Sequence, residues 1–123
     1  MNFGAPVPIL RIFDEQQARA FYAGYLGFKV DWEHRFEPDF PLYMQVSRGA
    51  CRLHLTGHHG DCCPGGAVRI GCPDVNALLA ELRSKNYKAL RPSAEQVPWG
   101  GSEIALTDPF GNRITFYSER ADT

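Results

Sequence analysis

Two aspartates 60 residues apart, Asp14 and Asp74, each stand between a strand-like run and a run of apolar residues at helical spacing. An aspartate in that setting caps the start of a helix, because its carboxylate accepts from the first free backbone N–H groups. The same signal given twice predicts two similar units, each about half of the chain.

In the first unit, residues 7–12 read as a strand and Asp14 with Gln17 as a capping pair. A helix follows over 15–25, with Ala18, Phe21, Tyr22 and Tyr25 on one face and Gly27 as its stop. Strands over 28–36, 42–47 and 51–56 come next, punctuated by Pro38, Pro41 and Gly49. In the second unit, 67–71 reads as a strand, Asp74 caps a helix whose Val75, Leu78, Leu79 and Leu82 share a face, and strands follow over 87–90, 102–107 and 113–117. Both units read βαβββ. The expected fold is therefore α+β: two tandem βαβββ modules, about 1–60 and 65–120 of one domain spanning 1–123, forming a curved mixed sheet with the helices packed outside. The longest irregular stretches, 56–66 and 92–101, are of the length that carries function.

Composition narrows the function. With 44% hydrophobic and 22% charged residues, the chain can bury a core. Thirteen Lys and Arg against fourteen Asp and Glu leave a net charge of −1, which removes the broad attraction that nucleic-acid binding needs. No run approaches the ~20 apolar residues that span a bilayer, and the first residues lack the pattern of a secretory signal, so a cytoplasmic chain with no membrane partner is expected. Cys51, Cys62, Cys63 and Cys72 are then expected as free thiols.

Paired βαβββ modules, Asp14 followed by Ala20-Phe21-Tyr22 and Leu26-Gly27-Phe28, and a closing Asp108-Pro109-Phe110-Gly111-Asn112 together resemble the vicinal oxygen chelate superfamily of glyoxalases, extradiol dioxygenases and antibiotic-resistance proteins. Val97-Pro98-Trp99-Gly100 leading into that closing motif is most similar to the bleomycin-resistance binding proteins. The resemblance implies a homodimer without catalysis, exchanging strands near Pro8 and sequestering bleomycin or a similar drug-like ligand, alone or as a drug–metal complex, in grooves between subunits. It also implies a ligand-binding set of Trp32, Phe36 or Phe40, and Trp99.

The residues themselves bear on that expectation. The segment 31–40 holds three aromatics, Trp32, Phe36 and Phe40, with four acids, of which Asp31 and Glu33 flank Trp32. Aromatic faces stack on flat heterocycles and attract cations, and carboxylates add charge complementarity. Strand alternation puts Arg52, His54 and Thr56 on one polar face, so His54 joins the candidate binding set. Arg11, Arg52, Arg69 and Arg113 bring positive charge to the same region, which suits a smaller or anionic ligand. The resemblance places metal ligands at Val7, His54, Val68 and Thr115. One histidine beside two valines and a threonine does not make a zinc or iron site, so no metal, no cofactor and no catalytic residue are expected. The alternative is a metal-dependent glyoxalase or dioxygenase of the same superfamily. It would use His54 with His58, His59 or Glu103, although the donor-rich run from His54 to Cys63 matches no standard zinc spacing.

Overall fold

The computed structural model describes residues 1–89, 92–98 and 100–118. Its first half is a sheet closed by a parallel pair. β1 (Ile9–Arg11) lies parallel to β4 (Cys51–Thr56), with Ile9 opposite His54, and β3 (Tyr43–Arg48) and β2 (Lys29–His34) follow antiparallel, in the order β1-β4-β3-β2. The second half repeats the plan with β5 (Ala67–Gly71), β6 (Glu95–Gln96), β7 (Ser102–Thr107) and β8 (Arg113–Ser118), in the order β5-β8-β7-β6. The two mixed sheets with their helices form the tandem α+β modules that the repeated cap signal implies.

Both caps form as read. Asp14 accepts from the Gln17 N–H at 2.9 Å and Asp74 from the Ala77 N–H at 3.0 Å. The first cap opens α1 (Glu15–Ala18), which passes directly into a π-helix over Arg19–Tyr25; the second opens α2 (Val75–Lys85). In the wider π turn the Leu26 N–H reaches back to the Phe21 carbonyl, and Gly27, at φ +74°, reverses the chain so that the Phe28 N–H meets the Tyr22 carbonyl. Phe21, Tyr22, Tyr25 and Leu26 are thereby all buried.

One apolar cluster joins the halves. Leu53 and Leu55 of β4 and Ile104 and Ile114 of β7 and β8 are completely buried in it with the π-helix aromatics. Each such side chain contributes roughly 1.5–3 kcal/mol on burial.

The closing motif 108–112 proves to be more than a turn. Asp108 Oδ1 accepts from the Phe110 and Asn112 backbone N–H groups, and its Oδ2 accepts from the Tyr22 hydroxyl at 2.6 Å and from Asn112 Nδ2 at 2.8 Å. Asn112 also donates to the Arg11 carbonyl and accepts from the Gly66 N–H. Asp108 and Asn112 are buried, so this polar hub ties the last turn to the first strand, the π-helix and the link between modules.

The strand expected over 87–90 is not formed. Tyr87–Ala89 is a short 3-10 turn, entered through Asn86 at φ 49° and containing Lys88 at φ 45°; Leu90 lies outside the described residues. The left-handed backbone swings Tyr87 onto the first module, where it stacks on Tyr25 at 4.8 Å and meets Phe21 edge-on at 5.9 Å. The second sheet takes its outer strand instead from Glu95–Gln96, within the stretch expected to be irregular.

Candidate functional site on the open face of the first sheet

Along β3, Met44 and Val46 are buried while Tyr43, Gln45 and Ser47 turn to the other, open face. The register aligns His54 and Trp32 with Gln45, and His34 and Thr56 with Tyr43. Between Val30 and Trp32 the β2–β3 register slips by one residue. That bulge turns Asp31 and Trp32 to the same side, as such bulges do. Glu33, opposite Met44, is left on the helix side.

The open face is wired by hydrogen bonds. Tyr43 Oη lies 2.7 Å from His54 Nδ1, and His54 Nε2 lies 3.0 Å from Gln45 Oε1. Gln45 Nε2 donates to Asp31 Oδ2 at 3.1 Å, and the Ser47 hydroxyl donates to Asp31 Oδ1 at 3.0 Å. A Gln carbonyl only accepts, so His54 carries its proton on Nε2 and receives the Tyr43 hydroxyl at Nδ1. Burial, helped by the nearby Arg52, holds the His54 pKa below its ordinary value and keeps the ring neutral. Hydrogen bonds from Gln45 and Ser47, with Lys29 adding a smaller effect, hold the Asp31 carboxyl below the usual range. Burial pushes the Tyr43 hydroxyl up, and neighbouring Asp61 and Cys62 push it further.

Around this network stand exposed aromatics. Trp32, 42% exposed, lies nearly parallel to Tyr43 at a centroid distance of 6.0 Å and meets His54 edge-on at 5.3 Å. Phe36 packs edge-on against His34 at 4.7 Å and His58 at 5.8 Å. Phe40 is exposed, and its carbonyl accepts from Arg35 at 2.9 Å. The structure thus brings Trp32, Asp31 and His54 together on one face. It separates Glu33 from them: both carboxylate oxygens are held by Arg19 of the π-helix, at 2.8 and 3.1 Å, which also lowers the Glu33 pKa. Trp99 lies outside the described residues. The Pro8 carbonyl accepts from the His54 N–H at 2.9 Å, so the segment before β1 lies along β4 of its own chain. The sequence reading missed Tyr43, Gln45 and Ser47; their alternation with Leu42, Met44 and Val46 along 42–47 is the signal that would have marked them as a polar face.

The positions that would hold a metal do not fit one. Both ring nitrogens of His54 are engaged, Val7 has no donor and Thr115 is a poor one. Val68 has no donor either; it pairs with Ile114 and packs against the core. The residue opposite Thr115 is Arg69, which binds Glu103 at 2.6 Å beneath the Tyr117 ring. In the donor-rich loop, Asp61 is occupied by the Thr56 hydroxyl at 2.7 Å. Among the described residues no three His, Cys, Asp or Glu side chains converge on one point. Among those residues, too, no helix is long and apolar enough to cross a membrane.

The chain belongs to the glyoxalase superfamily: a family model described as glyoxalase superfamily protein matches residues 1–123. Among solved structures, it is similar to a bleomycin-binding protein complexed with bleomycin, at 21% identity and a TM-score of 0.71 over 96% of this chain and 100% of that one. A glyoxylase/bleomycin resistance protein/dioxygenase domain from Frankia sp. EAN1pec superposes with a TM-score of 0.77 at 16% identity, over 100% of this chain and 96% of that one. A lactoylglutathione lyase from Agrobacterium tumefaciens gives 0.68 at 17% identity over 96% of each chain. At these identities the likeness is one of fold, and the fold hosts both binding proteins and enzymes. A comparison with curated protein sequences gives no match.

Proposed function

We propose that this chain is a cytoplasmic binding protein of the antibiotic-resistance type, sequestering bleomycin or a similar flat, drug-like molecule without chemical turnover. The observation that carries the reading is the exposed Trp32 stacked on Tyr43 above a saturated polar network. Such a surface offers a π-face and a fixed pattern of polar atoms. Trp32 stacks on the planar part of the ligand, a contact worth ~0.5–1.5 kcal/mol beyond its buried area, and attracts nearby cationic groups. Asp31, held ionised and oriented by Gln45 and Ser47, supplies charge complementarity. Phe36, Phe40 and Trp99 complete the aromatic lining. In a homodimer, exchange of the segment about Pro8 onto the partner's β4, in place of its own, walls the groove from the other side. The mechanism is mass action: bound drug is withdrawn from its target.

The test uses the wild-type chain for calorimetry and, for fluorescence, a Trp99→Phe variant in which Trp32 is the sole tryptophan. Chelator-treated protein is titrated with metal-free bleomycin and followed by fluorescence and calorimetry. Saturable quenching at sub-micromolar drug is expected, with Trp32→Ala weakening the calorimetric affinity by at least roughly tenfold. A flat heat response of the wild-type chain at high micromolar drug would refute the reading.

A further inference from the structure

A cleft of about 460 Å³ opens where the start of α2, the end of β5 and the β3–β4 turn meet. It lies away from the open face: Ile70 and Phe116, which line it, are register partners on the core side of the second sheet. Leu26, Phe28 and Leu78 add to its apolar wall, and its volume is in the range of small-molecule sites, which favour such seams.

Its polar lining is already paired. Arg48 and Glu81 form a two-pronged ion pair, both contacts at 2.8 Å; Arg48 also donates to the Leu26 carbonyl, and Lys85 shares Glu81. Asp74 is committed to capping α2. A charged ligand would find its counter-charges engaged and would lose hydration without replacement. The remaining polar groups are two half-buried free thiols, Cys51 and Cys72. Burial raises the Cys51 pKa, so its protonated sulfur acts as soft, polarisable lining.

The geometry points to a second ligand site in this cleft, taking a small, uncharged and predominantly apolar molecule with an alkyl or aryl body. The site is independent of the proposed drug-binding face, and its two thiols report occupancy. The experiment uses the full chain carrying Cys62→Ser and Cys63→Ser, with N-phenyl-1-naphthylamine as a neutral apolar probe. Probe fluorescence is expected to rise saturably. At ten times its dissociation constant, the probe should slow alkylation of Cys51 and Cys72 by N-ethylmaleimide by roughly tenfold, read by peptide mass spectrometry. Ala77→Trp, at an exposed helix position on the cleft, should abolish probe binding while circular dichroism shows the fold retained; Trp32→Ala should leave binding intact. The proposal is overturned if the probe fails to bind, if it binds without protecting either thiol, or if binding is lost in Trp32→Ala and kept in Ala77→Trp. It is equally overturned if both thiols are inert without probe in a dimeric protein, because a second copy then covers the cleft.

Discussion

Removing the hydroxyl of Tyr22 tests whether the closing motif is a structural clasp. Tyr22 is completely buried and donates at 2.6 Å to Asp108, 86 residues away. Tyr22→Phe keeps the ring and its edge contacts with Phe21 and Phe28 and deletes one hydrogen bond to a carboxylate. Asp108 keeps its two backbone donors and Asn112, so the expected cost is that of one charge-assisted bond, about 2 kcal/mol. For a chain of this size that lowers Tm by ~8 °C, at ~4 °C per kcal/mol. Asn112→Ala should cost more, ~3–5 kcal/mol, because it orphans the Gly66 N–H and the Arg11 carbonyl and takes a donor from Asp108. Urea unfolding of both single variants and the double variant measures these costs and their coupling. The wild-type hydroxyl also has a pH signature. Burial, reinforced by Asp108, raises the Tyr22 pKa above its ordinary 10.0, so its contribution is full below pH 10 and is lost as the pH climbs beyond. Tyr22→Phe should lack that alkaline component. A Tyr22→Phe protein within ~0.5 kcal/mol of wild type would show that the hub carries no such load.

The His54 ring should remain on its Nε2–H tautomer to below pH 6.5, which nitrogen-15 NMR reads directly; because its folded pKa is depressed, the stability it confers is present above 6.5 and is lost as the pH falls towards the lowered value. A ring that protonates at or above 6.5 would contradict the network. Asp14→Ala and Asp74→Ala should each cost about 1 kcal/mol by chemical denaturation, whereas replacement by Ser should recover most of the loss.

Much of the fold could be read from local signals. Asp14 and Asp74 marked both helix starts, and strand-like runs set off by turn residues located 51–56, 67–71 and 102–107 at the observed ends of β4, β5 and β7. What escaped was decided by contacts distant in sequence. Tyr87 looks like a strand residue until Tyr25 and Phe21 are available to cover it. Glu95 and Gln96 are both polar and Pro98 follows two residues on, so the local sequence does not announce a strand; β7 supplies its partner. The π turn is likewise set by packing, since α and π helices share the same residues. At the site, alternation marked His54, but the bulge after Val30 decided the acids, turning Asp31 towards Gln45 and sending Glu33 to Arg19. A single inserted residue of that kind leaves no trace in composition.

The buried hub also bears on the order in which the chain can become native. Arg11 and Tyr22 leave the ribosome long before their polar partners, Asn112 and Asp108, which lie 101 and 86 residues further on. The amino-terminal half therefore emerges with its π-helix tyrosine and a strand carbonyl still lacking their native partners, and the last turn completes both modules in one late step. Loop-closure entropy over so long a span makes that step slow relative to hairpin formation. The repeat looks like two separable units on paper, but its halves mature together.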